Sequence, residues 1–153
     1  MRNFVPHLVI AASVAGAWPA TSMAEDCSGD TDVPGSVLSD TLVCAYKGDG
    51  LTNPMNRWSE MHNAGGVLGE WGRGADDPQG TFTANIGSWT PTGNAIAYDY
   101  GDYDYTWYLC GPDASTPAVF CRTSCNSGDV VATIKTLVDP IPATTSLSNP
   151  CNW

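Results

Sequence analysis

Basic side chains are scarce in this sequence. Only 6 of its 153 residues are Lys or Arg, whereas 16 are Asp or Glu, and the formal net charge is -10 at pH 7. Proteins that bind nucleic acid neutralise phosphates with clustered Lys and Arg, so this composition argues against a nucleic-acid partner. The same negative charge argues against docking on an anionic membrane surface. The fractions of hydrophobic residues, 42%, and charged residues, 14%, are typical of a folded domain.

The N-terminal residues have the pattern of a secretory signal peptide. Arg2 precedes an apolar run over residues 8–18, and Thr21-Ser22-Met23-Ala24 supplies small residues for cleavage. The run is too short to span a bilayer, and an uncleaved signal anchor is the alternative. We therefore expect residues 1–24 to be removed and the protein to be secreted or periplasmic.

Motifs for catalysis and for zinc binding are missing. The sequence contains no Gly-x-Ser-x-Gly turn and no Cys-x-x-Cys pair, and three residues separate Cys121 from Cys125. One of the two histidines, His7, lies in the predicted signal peptide, which leaves His62 alone in the exported chain. We therefore predict a protein that is not an enzyme and has no resident cofactor.

The six cysteines all follow the predicted signal peptide. An even number of cysteines in an exported chain indicates three disulfides, but spacing alone does not rank the possible connectivities. Cys44 and Cys121 each lie in a strand-like apolar run and could join an early strand to a late one. A nested arrangement then results, which pairs Cys44 with Cys121, Cys27 with Cys151, and Cys110 with Cys125.

Strand patterns cover the exported chain, and no segment has a convincing helical pattern. Turn residues rich in Gly, Pro, Asn and Asp separate the candidate strands. Short connections favour an all-β antiparallel meander of about eight strands that closes into a small barrel, with a β-sandwich as the runner-up. We expect an N-terminal extension at 25–39, a barrel domain at 40–136, and a Pro/Ser-rich tail at 137–153 tied by a disulfide. The candidate strands are residues 41–46, 57–62, 67–71, 83–89, 94–100, 103–110, 118–122 and 130–136.

A β-hairpin is predicted around Gly101-Asp102. A two-residue loop places Tyr100 opposite Tyr103, and strand alternation then separates an aromatic face from an acidic face. The aromatic face either packs as ordinary core or lines a cavity, and its tyrosines favour a cavity because each buried hydroxyl needs a partner. The aromatic face consists of Ile96, Tyr98, Tyr100, Tyr103, Tyr105 and Trp107.

The segment Arg57-Trp58-Ser59-Glu60-Met61-His62 places Trp58, Glu60 and His62 on one face of a strand. A carboxylate two residues from an imidazole forms a workable polar pair, which could hydrogen-bond a ligand or act in acid/base chemistry. The alternative is a surface pair, with the tryptophan capping one end of the barrel.

Asp99, Asp102 and Asp104 cluster at the tip of the predicted hairpin. Like charges that face each other across a strand pair are destabilising, and a bound cation would relieve them. A weak calcium site is therefore one possibility, although the spacing does not match an EF-hand loop. The alternative is a solvated acidic face.

Several short motifs in order, spread over residues 40–136, resemble small exported bacterial proteins with lipocalin-like or avidin-like β-barrels. A Gly-x-Trp element like Gly87-Ser88-Trp89 also occurs in lipocalins, in their first barrel strand, whereas here it lies in the fourth candidate strand. The resemblance implies a barrel and an interior small-molecule site, with no activity attached. The motifs are Leu42-Val43-Cys44, Arg57 to His62, Gly65-Gly66-Val67-Leu68, Gly87-Ser88-Trp89, Gly93-Asn94, Tyr98, Tyr105, Phe120-Cys121 and Val131-Ala132-Thr133-Ile134.

The leading functional hypothesis is a binding barrel for a small, partly apolar or aromatic ligand, because closed barrels offer concave apolar sites with a few polar groups. A carbohydrate-binding module is the second hypothesis, with Trp58, Trp71 and Trp89 as stacking platforms. A structural or protein-interaction domain is the third. The predicted ligand-binding residues are Trp58, Glu60, His62, Tyr98, Tyr100, Tyr105 and Trp107.

Overall fold

The structure, a computed structural model, describes residues 26–72, 81–139, 141 and 150–153. The predicted signal peptide, residues 1–24, lies outside the described residues, as does most of the Pro/Ser-rich tail. The described part of the chain contains no helix long and apolar enough to cross a membrane.

The described residues form nine β-strands, and all eight predicted strands are among them, with ends that differ by up to three residues. Their β-branched and aromatic side chains alternate between two faces, as strands with one buried face require. The strands are β1 (Thr31–Asp32), β2 (Thr41–Tyr46), β3 (Arg57–His62), β4 (Val67–Trp71), β5 (Phe82–Thr92), β6 (Ala95–Asp99), β7 (Asp104–Gly111), β8 (Val119–Cys121) and β9 (Val130–Val138).

Strands β2 to β9 form an antiparallel meander in which each strand pairs with the next. The last strand, β9, returns to the first, β2, with Leu42 opposite Val138 and Tyr46 opposite Thr133. This pairing closes the meander, so the predicted eight-stranded barrel is confirmed and the sandwich is not formed. Closure pairs the backbone N–H and C=O groups that the two edge strands of an open sheet would expose. The short strand β1 pairs with the end of β7, where Asp32 lies opposite Cys110.

The hairpin between β6 and β7 has the predicted register. Asp99 lies opposite Asp104, and Tyr98 lies opposite Tyr105. The N–H of Tyr100 donates to the carbonyl of Tyr103 across the two-residue turn, and Gly101 in that turn has a φ of 86°. Glycine adopts this left-handed conformation without the steric cost that a side chain would add.

The barrel interior is closed at one end by the N-terminal segment. Val33 and Leu38 are fully buried and belong to the interior hydrophobic cluster. The N–H of Gly35 donates to the carbonyl of Gly93 at 2.7 Å, which ties this segment to the turn between β5 and β6. Part of the predicted N-terminal extension therefore packs as barrel core. Further interior residues are Val43, Ala45, Leu68, Trp89, Ile96, Tyr98, Leu109, Phe120 and Ala132.

A second hydrophobic cluster lies outside the barrel wall, where the C-terminal residues cover β2, β3 and β4. Trp71 is fully buried there beside Cys44 and Cys151. Trp153 donates from its indole Nε1 to Ser59 Oγ at 2.8 Å. The Lys135 ammonium lies 4.6 Å from the centre of the Trp153 ring, within the range of a cation–π interaction.

Three disulfides staple the barrel, and one of the predicted pairs is confirmed. Cys110 pairs with Cys125, as expected, but Cys27 pairs with Cys121 and Cys44 pairs with Cys151, so the other two predicted pairs are wrong. Strand β9 lies between β2 and β8. Two strand spacings, about 9–10 Å, separate the backbones that carry Cys44 and Cys121, which exceeds the reach of a disulfide. Because disulfides persist in oxidising compartments, the three bridges indicate a non-cytoplasmic protein.

Candidate functional site

An inner pocket of about 230 Å³ lies at the end of the barrel opposite the N-terminal segment, beside the β6–β7 turn. Strands β3, β4 and β5 supply one wall, and the aromatic face of the β6–β7 hairpin supplies the other. Tyr103, with 60% of its surface exposed, stands at the rim. The pocket is lined by Trp58, Glu60, Glu70, Ile86, Tyr100, Tyr103, Tyr105 and Trp107.

The aromatic wall is a continuous stack of rings. The ring centroids of Tyr105 and Trp107 are 4.5 Å apart, and those of Tyr100 and Tyr105 are 5.8 Å apart with nearly parallel planes. Trp58 faces this wall from β3, with its centroid 6.0 Å from that of Trp107. Such spacings are those of favourable aromatic pairs. The wall therefore offers flat, rigid π surfaces to any molecule in the pocket.

A β-bulge in β5 brings Ile86 to the pocket. The pairing of β4 with β5 passes from Leu68 opposite Gly87 to Gly69 opposite Ala84, so Asn85 and Ile86 are additional residues in β5. Asn85 has a φ of 56°, and this local kink redirects the strand. Bulges commonly re-aim a side chain next to a functional site.

Glu60 forms the polar floor of the inner pocket. It is 7% exposed, and the hydroxyl of Tyr100 donates to its Oε2 at 2.5 Å. Burial, with a smaller contribution from the nearby charge of Glu70, raises the pKa of Glu60 to about 8, although the hydrogen bond from Tyr100 acts in the opposite direction. The carboxyl group of Glu60 is therefore mostly protonated at neutral pH.

His62 lies next to Glu60 but deeper in the barrel, with only 1% of its surface exposed. Its Nδ1 is 3.3 Å from the backbone carbonyl oxygen of Glu60, and its Nε2 is 3.0 Å from the hydroxyl of Tyr98. A carbonyl oxygen can only accept, so Nδ1 carries the proton and Nε2 accepts from the Tyr98 hydroxyl. The neutral imidazole is thus fully hydrogen-bonded.

The electrostatic state of His62 follows from this burial. Desolvation lowers the pKa of His62 to about 3, although the hydrogen bond to the Glu60 carbonyl opposes the shift. Nε2 lies 3.5 Å from Oε1 of Glu60, but neither group is predominantly charged at neutral pH. The two side chains therefore form a neutral polar pair rather than an ion pair.

Burial also keeps the tyrosine hydroxyls protonated. Desolvation raises the pKa of Tyr105 to about 12 and raises that of Tyr100 well above its ordinary value. Both hydroxyls lie in the pocket wall. Both hydroxyls therefore stay neutral over the whole physiological pH range, and that of Tyr100 is already the donor to Glu60.

Of the seven predicted ligand-binding residues, five line the inner pocket and two do not. Trp58, Glu60, Tyr100, Tyr105 and Trp107 are in its wall. His62 and Tyr98 are buried behind it and support Glu60. The surface-pair alternative for Glu60 and His62 is wrong, because the face of β3 that carries them points into the barrel.

Glu70, Ile86 and Tyr103 line the pocket without having been predicted as site residues. Hairpin pairing of β3 with β4 places Glu70 opposite Glu60, and the same register argument that worked for β6 and β7 would have found it. No strand alternation or register predicts that Ile86 lines the pocket, since its position depends on the bulge in β5.

The tryptophans proposed as an exposed carbohydrate-stacking strip do not form one. Trp71 is fully buried under the C-terminal residues, and Trp89 is 4% exposed inside the barrel. The indole Nε1 of Trp89 donates to the carbonyl of Asn63 at 2.9 Å, and its ring packs edge-on against His62. Both rings are therefore parts of the core.

Asp99, Asp102 and Asp104 lie along an outer groove of about 470 Å³ on the opposite face of the β6–β7 hairpin. The Oδ1 of Asp99 accepts from the N–H of Gly101 at 2.8 Å, which stabilises the turn. Within the described residues, no group of three or more His, Cys, Asp or Glu side chains is arranged to hold a metal ion. The calcium site remains a sequence prediction without a ligand cluster in this part of the chain.

No protein-family model, no curated protein and no solved structure matches this chain.

Proposed function

We propose that this protein is a secreted or periplasmic binding barrel whose inner pocket holds a small, partly aromatic ligand. The observation that carries the proposal is the composition of the pocket wall. Trp58, Tyr105 and Trp107 present flat apolar faces, while the Glu60 carboxyl group and the Tyr100 hydroxyl supply polar contacts at the floor. A concave apolar wall with a few placed polar groups is the usual form of a small-molecule site.

The size of the pocket limits the ligand. Sites for drug-sized molecules have volumes of about 300–1,000 Å³. At about 230 Å³, the inner pocket fits a smaller molecule, such as one with a single aromatic ring and a short polar chain. The lipocalin-like or avidin-like resemblance of the sequence is consistent with this proposal, because it implies an interior site.

The outer groove is the weaker candidate for a ligand site, although it is larger. Its wall combines Tyr98, Tyr103 and Tyr105 with short polar and acidic side chains, of which Asp104 and Thr106 are exposed. Water already satisfies such groups, so a ligand gains little by replacing it. The inner pocket, in contrast, presents the indole rings of Trp58 and Trp107, whose burial against a ligand is favourable.

Two matched substitutions test which cavity binds. A panel of single-ring aromatic compounds is titrated by calorimetry into the wild type, Ile86→Phe and Thr106→Phe. Ile86→Phe fills the inner pocket and leaves Glu60 in place, whereas Thr106→Phe adds the same bulk to the outer groove. We expect Ile86→Phe to abolish binding and Thr106→Phe to leave it unchanged. Loss of binding only in Thr106→Phe would indicate that the ligand binds in the outer groove, which would contradict the proposal.

A further inference from the structure

The inner pocket contains two carboxyl groups in addition to its aromatic wall. Glu60 and Glu70 face each other across β3 and β4, and both line the pocket. Among the described residues, its lining contains no Lys or Arg. Two acidic groups beside a stack of π faces form an environment that attracts cations, since carboxylates and aromatic rings both present negative charge.

We infer that the ligand of the inner pocket is a small organic cation, an amine with an aromatic or apolar body whose ammonium group binds to Glu60 and Glu70. This inference rests on the proposed function and specifies the chemical class of the ligand. The ammonium group donates hydrogen bonds to the carboxylates of Glu60 and Glu70, while Trp58, Tyr105 and Trp107 contact the apolar body. An anion of the same shape would be repelled by the charge of Glu70 and would gain no ion pair with the protonated Glu60.

Binding of a cation in this pocket also displaces a proton. Several groups act on Glu60: Glu70 from β4, His62 from its own strand, Tyr98 from β6, Tyr100 just beyond β6, and Tyr105 from β7. Burial among them keeps Glu60 mostly protonated in the free protein at neutral pH, and a positive charge beside it favours the ionised form. An alkylammonium group stays charged up to about pH 10, as Lys does. Affinity should therefore rise with pH up to about pH 8 and then level off.

Three probes of similar shape and different charge test the inference. The full exported chain is titrated by calorimetry with phenethylamine, 2-phenylethanol and 3-phenylpropionate, which are a cation, a neutral alcohol and an anion. We expect phenethylamine to bind about tenfold or more tightly than the alcohol, because a charged hydrogen bond contributes more than a neutral one. The anion should bind most weakly. Heats measured in phosphate and in Tris buffer should show proton release with phenethylamine only.

Two variants of equal net charge supply the control. Glu70→Gln removes a carboxylate from the pocket, and Asp104→Asn removes one from the outer face of the β6–β7 hairpin. We expect Glu70→Gln to weaken phenethylamine binding about tenfold and to leave 2-phenylethanol unchanged. Asp104→Asn should leave both affinities unchanged. Glu60→Gln should remove the pH dependence, and circular dichroism verifies that each variant is folded.

The outcomes separate this inference from the proposed function. Equal affinities for the three probes would contradict the inference that the ligand is a cation, and so would an equal effect of Glu70→Gln on phenethylamine and 2-phenylethanol. Neither result would contradict the proposal that the inner pocket binds a small molecule. Tighter binding of 3-phenylpropionate would likewise contradict only the inference that the ligand is a cation. Failure of all three probes to bind at millimolar concentration would count against both the inference and a pocket for single-ring ligands.

Discussion

Glu60 on β3 lies directly opposite Glu70 on β4, and both carboxyl groups line the same pocket. Like charges in this arrangement destabilise a strand pair. The barrel avoids the full cost because Glu60 is protonated at neutral pH, its pKa having been raised to about 8 by burial and by the charge of Glu70. The stability of the fold therefore depends on pH in a way that identifies Glu60.

Stability should fall as the pH rises from about 6.5 to about 8, since at lower pH the loss caused by Glu60 is offset by a gain from His62, whose folded pKa of about 3 lies below its ordinary 6.5. In this interval the folded protein holds a proton on Glu60 that the unfolded chain, with an ordinary pKa near 4.5, has lost. Each pH unit costs up to about 1.4 kcal/mol. Urea unfolding across this range measures the loss, and Glu60→Gln should abolish it. A parallel decline in Glu60→Gln and in the wild type would show that another group is responsible.

His62 should show no titration between about pH 5 and pH 8, where an exposed histidine titrates. Burial lowers its pKa to about 3, so the imidazole stays neutral throughout this range. NMR of the imidazole C–H resonances as a function of pH measures this, and the His62→Gln variant assigns the signal. A midpoint near the ordinary value of about 6.5 would mean that the side chain is exposed to solvent.

Tyr98→Phe should destabilise the protein by about 1–3 kcal/mol, because Nε2 of the buried His62 loses the hydroxyl that donates to it. Tyr103→Phe is the matched control, since the Tyr103 side chain is 60% exposed and should tolerate the change. Urea unfolding of the two variants and the wild type measures the difference. Equal stabilities of the two variants would mean that the Tyr98–His62 hydrogen bond contributes nothing.

Gly87→Ala should destabilise the barrel by about 1–3 kcal/mol. A Cβ at Gly87 would lie 2.5 Å from the carbonyl oxygen of Asp99, so β5 or β6 would have to move. Gly65→Ala is the control, because its Cβ would meet nothing within 4 Å. Thermal unfolding compares the two, and a lower melting temperature is expected for Gly87→Ala only.

Loss of the Cys44–Cys151 disulfide should cost more stability than loss of Cys110–Cys125. The two bridges span sequence separations of 107 and 15 residues. In the chain-entropy model, loops of about 100 and 15 residues correspond to about 4.7 and 3 kcal/mol. Unfolding of the two double-Ala variants measures the order, and peptide mapping without reductant verifies the pairing. Equal costs of the two losses would contradict the loop-closure argument.

Much of the fold could be predicted from local pattern. The register of the β6–β7 hairpin follows from the two-residue turn at Gly101, because alternation leaves only one register that groups the tyrosines on a single face. The shared face of Trp58, Glu60 and His62 follows from the same alternation. Glu70 was missed because the meander prediction paired its strand with β3 without working out the residue register, and Ile86 was missed because no sequence pattern marks its bulge.

By itself, the sequence determined the eight strands that close the barrel, their order and the faces on which the aromatic residues of the β6–β7 hairpin lie, because strand alternation and short turns are local properties. Only the tertiary structure decided the disulfide partners of Cys44 and Cys121, since the position of β9 between two distant strands is a consequence of barrel closure. It also decided the protonation of Glu60 and His62. Their ordinary pKa values are shifted by desolvation, which depends on every side chain that excludes water from the interior.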